Sequence, residues 1–453
     1  MPPLTRDDLR LALERGHRPR QDWALGVEYE QFVTDPQGRA VEYSSQPGVA
    51  QLLHQFADWT GWERKLDGEH ILGLKAKDGR MLTLEPAAQL EFGSSPARSL
   101  GQLAIEIDEY MQLLARAERE FGVRFVTLGS HPTARPEELE RIPKQRYDVL
   151  EPYLRGKGGL GWWMMKTTCG VQINFDHSDE ADAMRKLRTV FRLAPVFNAM
   201  FANSALKAGE FSGYASWRGH IWTETDATRC GFVESLMRED ASFEDYIEWV
   251  LDLEMLFIER DGQQFDLRGR SFREHLARGE ATMEDWELHL STPFPEVRFR
   301  PQLEIRCADT MCPRRTLGFA ALVQGVFYDE GALRAAEALC ADWTMAEFQE
   351  AWHAAHRDGL AAQLPERVQS PGRRGLLDLA RELVDLAVLE PSDAIYLQPL
   401  IELLEKGVST GERVRDLFQG DWGQDLAQAV EYGRCTQVPV RFEQPARQDS
   451  TDI

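Results

Sequence analysis

Four short segments carry carboxylates or amides at every second position, and every second position is one face of an extended strand. In GVEYEQFV, Val27, Tyr29 and Val33 alternate with Glu28 and Glu30. In QLEF, Leu90 and Phe92 alternate with Gln89 and Glu91. In VQINFD, Val171, Ile173 and Phe175 alternate with Gln172, Asn174 and Asp176, and in QLEIR, Leu303 and Ile305 alternate with Gln302, Glu304 and Arg306. Such alternation ordinarily sets one face on a core and the other in water, and for Glu28 and Glu30 taken alone that is the plainer account. A wet strand face, however, mixes Thr, Lys and Ser with its acids. The first two segments offer only Glu and Gln, apart from Phe32. Acids gathered on one wall repel and raise one another's pKa, so they need a counter-charge. Mg²⁺ supplies one, taking carboxylate oxygens together with nucleotide phosphates. The four segments together predict a Mg²⁺-lined interior that uses ATP, the cations neutralising the β- and γ-phosphates during phosphoryl transfer.

Other motifs add little. GKGGLG, at Gly156 to Gly161, fits neither GxGxxG nor the Walker pattern, so a nucleotide would be held by another scaffold. Lys75, in LGLKAKDG, is a candidate phosphate contact, although a lysine beside a DG turn is ordinarily solvated. Six cysteines in 453 residues form no disulfide framework. Cys307 and Cys312 lack the second pair or nearby His that a zinc site needs. A formal charge of -22, from 74 acids against 52 Lys and Arg, argues against nucleic acid and anionic membranes as partners. No stretch is long and apolar enough to span a bilayer. Met1 to Arg20 has no apolar run and contains acids, unlike a signal or transit peptide, which gives the expectation of a cytoplasmic protein.

The elements that would position these residues are readable in outline. Trp23 to Phe92 reads mostly as short strands, Leu100 to Phe121 as an amphipathic helix, and Val123 to Leu128 and Cys169 to Asp176 as strands. Ser178 is expected to cap a helix running toward Asn203, kinked at Pro195. Gly213 to Gly231 reads as loop or extended chain. Gln302 to Arg306 reads as a strand after the Pro-punctuated STPFPEVRFRP. Beyond Gly331 the pattern is helical, broken near Pro371. The expectation is an α+β protein with one large, mainly antiparallel sheet. A single catalytic domain would cover 1–435, strand-rich to about residue 330 and helical over 331–435. A polar tail, 436–453, is expected to be disordered.

LGVEYEQF, LEPAAQLEFGSSP, RYDVLEPYL, MMKTTCGVQINFDHSDEADAMRKLR, FANS, RGHIWTETDATRCG, DWELHLSTPFPEVR, PQLEIRCAD and DWGQDL follow one another in this order. Over Asp22 to Tyr432 they resemble the plant and bacterial-type glutamate–cysteine ligases. The resemblance implies a glutamine-synthetase-like fold, a curved antiparallel sheet forming a funnel ringed by helices. It implies that ATP phosphorylates the γ-carboxylate of glutamate and that the cysteine amine then displaces phosphate. The product would be γ-glutamylcysteine, the first step of glutathione biosynthesis, with two or three Mg²⁺ bound. Glutamate, cysteine and ATP would be the partners of a monomer or homodimer.

The resemblance also distributes roles among residues. Glu28, Glu30, Glu85, Glu91 and Glu304 match metal ligands, and Gln172 stands where distant relatives place a His ligand. Glu304 and Arg306 match catalytic positions, Arg306 an ATP contact, and Arg218 a contact to the substrate carboxylate. Asn174, on the same face, is a candidate for either metal or substrate and joins the substrate set. The plant arginine two residues before the Cys of the MM…TC motif is Thr167 here, which brings Lys166 and Thr168 into that set. Substitution Glu304→Gln is expected to abolish ligation with little loss of stability. Arg218→Ala is expected to act mainly on the KM for glutamate. The rival readings are a ligase with another amine acceptor, as in ergothioneine pathways, and a non-catalytic relative that binds nucleotide or amino acid. A metal hydrolase is disfavoured by the absence of HExxH.

Overall fold

The structure, a computed structural model, describes residues 4–437 and 440. Leu25–Thr34 (β1) is the central strand of a nine-stranded antiparallel sheet. The others are Glu63–Asp67 (β2), His70–Lys75 (β3), Met81–Leu84 (β4), Leu90–Gly93 (β5), Arg124–Val126 (β6), Gly170–Phe175 (β7), Val297–Arg300 (β8) and Gln302–Asp309 (β9). Their spatial order is β8-β9-β7-β1-β5-β4-β3-β2, with β6 paired to the far end of β1. The four segments of alternating acids are therefore four consecutive neighbours, β9, β7, β1 and β5. Antiparallel pairing brings them together although Glu28 and Glu304 lie 276 positions apart in the sequence.

The apolar set of each strand builds the core. Val27, Tyr29, Leu90, Phe92, Val171, Ile173, Phe175, Leu303 and Ile305 are all buried. The helix Leu100–Phe121 begins and ends where its spacing predicts, capped by Ser99 and stopped by the left-handed Gly122. Its Tyr110 stacks on Phe92 at 4.6 Å. The helix Pro313–Phe327 packs on β7 and β1, with Phe327 against Phe175 at 5.1 Å. The helix Glu180–Met200 packs on β8 and β9 and is buried around nearly its whole circumference, the pattern of a core helix. Phe32, the exception on the acidic face, joins Val126, Leu128 and Cys169 in a separate apolar cluster at the end of β1.

Several local expectations are corrected. Val49–Thr60, inside the region read as strands, is a helix. Its buried Val49, Leu52, Leu53, Phe56 and Ala57 follow helical spacing. Trp217–Thr223, read as loop or extended, is a short helix capped by the Ser216 hydroxyl. The cap of the Glu180 helix is Asp179, not Ser178. From residue 331 to the last described element only α- and 3₁₀-helices occur. Cys435–Gln437, at the start of the expected tail, forms a 3₁₀ turn, and Val440 is buried. The rest of 436–453 lies outside the described residues. No helix among the described residues is long and apolar enough to cross a membrane.

Candidate active site

The register of the sheet sets the acids side by side on its polar face. Glu28 faces Gln172 across β7 and Gly93 across β5, and Glu30 faces Glu91. Glu304 faces Asn174 on one side and Arg298 on the other. Each carboxylate is capped by a donor of the chain. Asn174 Nδ2 donates to Glu28 at 3.0 Å. Gln172 Nε2 donates to Glu30 at 2.8 Å, and the Gly170 N–H donates to its other oxygen. Thr83 Oγ1 donates to Glu91. Arg298 holds Glu304 through two bonds of 3.0 and 3.1 Å, and Arg306 Nη1 also donates to it.

The electrostatics split this face in two. Burial raises the pKa of Glu28, with Glu304 adding to it. Burial and then Glu85 push Glu30 up to about 7. Burial, followed by Glu85, Glu28 and Glu30, lifts Glu91 well above the carboxylate range. At Glu304 burial opposes the charge, but Arg298, Arg306 and Arg300 outweigh it and bring the carboxyl to about 2. One half of the face is thus a crowd of acids short of counter-charge, and the other half is an acid saturated with arginines.

A cavity of about 910 Å³ opens on this face. Glu28, Glu91, Glu304, Asn174 and Arg300 line it, together with Ser94, Ser95, Arg98 and Gln102. Glu85, half-buried, sits in the turn after β4 and its carbonyl accepts the Ala88 N–H, while its charge reaches Glu30 and Glu91. Arg306 lies beside Glu304 and, with Arg218, Trp222, Phe294 and Glu296, lines a narrow cleft of about 10 Å³.

The donor set suits a hard cation, since it offers carboxylates on adjacent strands. The side-chain oxygen of Gln172 is buried and has no partner, a spare hard ligand next to Glu28 and Glu30. Among the described residues, no three His, Cys, Asp or Glu side chains converge on a ready-made metal geometry. The acids are turned to their own donors instead.

The remaining candidates stand apart from the acids' cavity. Arg218 is 3% exposed, 3.7 Å from Asp309, and donates to the Arg306 carbonyl at 3.1 Å. Its partner is thus a buried acid. Lys166 donates its ammonium to the carbonyls of Pro136 and Leu139, so its charge is committed to a loop. Thr168 donates to the Met164 carbonyl at 2.7 Å. Lys75 is exposed at the end of β3, opposite Met81 and three strands from Glu28.

Three contributors were missed at the sequence level. Arg298 and Arg300 alternate with Val297 and Phe299 just as the acids alternate elsewhere. The prolines around them made the segment read as an approach rather than a strand. Thr83, opposite Glu91 on β4, carried no signal beyond its place in a short strand.

Glutamate-cysteine ligase family 2 (GCS2) matches residues 24–432. The chloroplastic glutamate–cysteine ligase of Brassica juncea is 35% identical over 439 residues, covering 94% of this chain and 83% of the relative. That of Arabidopsis thaliana is 35% identical over 444 residues, covering 95% and 83%. A solved structure, the glutamate–cysteine ligase of Francisella tularensis in complex with AMP, aligns with a TM-score of 0.58 at 13% identity, covering 94% of this chain and 90% of that one. At that identity the likeness establishes the fold, a large antiparallel sheet with many helices. The cytoplasmic location expected from the N-terminus is overturned by the plant relatives, which are chloroplastic. On the match across nearly its whole length, the chain belongs to the glutamate–cysteine ligase family and is a ligase.

Proposed function

We propose that the polar face of β9, β7, β1 and β5 is where the γ-carboxylate of L-glutamate is joined to the amine of L-cysteine, with ATP converted to ADP and phosphate. The reaction is that of the family, and its product is γ-glutamylcysteine, the first intermediate of glutathione biosynthesis. The observation that carries the placement is the convergence of Glu28, Glu91 and Glu304, far apart in sequence, on one 910 Å³ cavity. The glutamine-synthetase-like funnel belongs to the same reading, with this face as its inner wall. The chain would act as a monomer or a homodimer.

Glu28, Glu30, Glu85, Glu91, Glu304 and the free oxygen of Gln172 would hold two or three Mg²⁺. When bound, Mg²⁺ withdraws charge from the β- and γ-phosphates of ATP. A γ-carboxylate oxygen of glutamate attacks the γ-phosphorus and ADP departs, leaving an acyl phosphate. The cysteine amine then attacks the acyl carbon, phosphate leaves with the C–O electron pair, and the amine gives up a proton as the amide forms. The chain positions reactants and stabilises charge. Arg306, a planar fork fixed beside Glu304, is assigned to the oxygens of the transferring phosphoryl group. Asn174 is assigned to the substrate carboxylate, and Lys75, at the end of β3, to the outer phosphates. Arg218 steadies the backbone of Arg306, to whose carbonyl it donates, while Lys166 and Thr168 bond to nearby backbone carbonyls.

The test is product analysis. ADP release should require ATP, Mg²⁺, glutamate and cysteine together, and the product mass should be that of γ-glutamylcysteine. ADP released equally fast without cysteine would overturn this reading. Incorporation of a different amine in preference to cysteine would replace it with a ligase of another acceptor.

A further inference from the structure

Arg298 stands on β8 opposite Glu304 and is 4% exposed. Its guanidinium is divided between two sets of partners. Nη1 donates to the carbonyls of Ser291 and Pro293 at 3.0 and 2.9 Å. Nε and Nη2 grip the two oxygens of Glu304. The contacts to the 291–293 turn fix where the guanidinium sits, and the fork then fixes the plane of the carboxylate. Glu304 Oε1, held by Arg298 Nη2, is the oxygen that accepts from Arg306 Nη1. Arg306 is thus aligned by Glu304, and Glu304 by Arg298.

We propose that Arg298 is a positioning residue for phosphoryl transfer, which locks Glu304 so that Arg306 is held in its working orientation. This rests on the phosphoryl contact assigned to Arg306 above. A lysine at 298 keeps the charge but has no planar fork, so it cannot hold the turn carbonyls and both carboxylate oxygens at once. Misplacement of a catalytic group by about 1 Å is enough to lower a rate about 10²-fold.

The experiment is a double-mutant cycle on the full-length protein with Arg298→Lys, Arg306→Lys and the double variant. Each is read by kcat, by KM for ATP and glutamate, and by melting temperature. Arg298→Lys should melt close to wild type, lose about 10²-fold in kcat and change either KM by less than about threefold. The double variant should be no slower than Arg306→Lys alone within about threefold, because both changes remove one function. A wild-type kcat in Arg298→Lys, or losses that multiply in the double variant, would overturn the proposal. If Arg298→Lys does not fold, Arg298→Gln takes its place in the cycle. Failure of both to fold would assign Arg298 to stability and also overturn it. Wild-type protein that ligates nothing would instead remove the functional reading, and this proposal with it.

Discussion

Glu30 and Glu304 share one face of one sheet and are held in opposite ways. Glu30, pushed up to about 7 by burial and Glu85, has Arg218 as its one partial counter-charge, and burial outweighs it. Glu304, brought to about 2 against its burial, has three arginines around it. That difference reverses an expectation drawn from crowding alone, under which Glu304→Gln would relieve repulsion and leave stability intact. Removing this anion strands Arg298 and Arg306 in a buried setting, and breaking such a group by one partner destabilises by about 3–5 kcal/mol. The expected outcome is a lowered urea midpoint together with loss of ligation. An unchanged midpoint would mean that the arginines find another counter-charge. At this scale the acids were legible because a strand displays every second residue. Arg298 and Arg300 obey the same rule, and the prolines beside them hid it.

At the scale of elements, neighbouring strands matter more than neighbouring residues. Gly170 on β7 lies against the Arg218 guanidinium, where an added Cβ would stand 2.5 Å from Nη2. Gly170→Ala should therefore displace Arg218 and destabilise by about 1–3 kcal/mol, measured by denaturant unfolding. A neutral effect would show that Arg218 can swing aside. Arg218→Ala leaves Asp309, itself 1% exposed, without its cation. A loss of about 3–5 kcal/mol is expected, so thermal unfolding, rather than the KM for glutamate alone, should report it. The long helix Leu100–Phe121 was legible to its ends because 22 residues of one period leave no alternative. The helix Trp217–Thr223 was not, because seven residues hold barely two turns of pattern. Val49–Thr60 had clear helical spacing and was masked by the strands on either side.

For the whole molecule, the acidic face links stability to pH and to divalent cations. A carboxyl whose pKa is raised in the folded state binds its proton more tightly there than in the unfolded chain. Its contribution is full below the unfolded value and is lost as pH rises through the folded one. For Glu30 that window runs from 4.5 to about 7, and Glu28 and Glu91 shift in the same direction. In the presence of a chelator the melting temperature should fall across this window. Added Mg²⁺ should restore it, increasingly toward the upper end, because a cation needs the carboxylates deprotonated and stabilises by mass action. A Mg²⁺ effect that is absent or independent of pH would separate these acids from the metal. The antiparallel sheet and the helical last third were legible from periodicity. The strand order was not, since no local pattern states that β9 lies beside β7.

That order has a consequence for how the protein comes into being. Glu28, Glu30, Glu85 and Glu91 leave the ribosome long before Arg298, Arg300 and Arg306. The nascent chain therefore carries the repelling half of its central wall through the 207 residues from Glu91 to Arg298 without the half that balances it. β1 can pair with β5 and β7 early, but the vacant edge of β7 receives β9 only after residue 309 of 453 has been made. Completion of the wall is thus delayed until most of the polypeptide exists, and the last strands to be made bring its compensating positive charge.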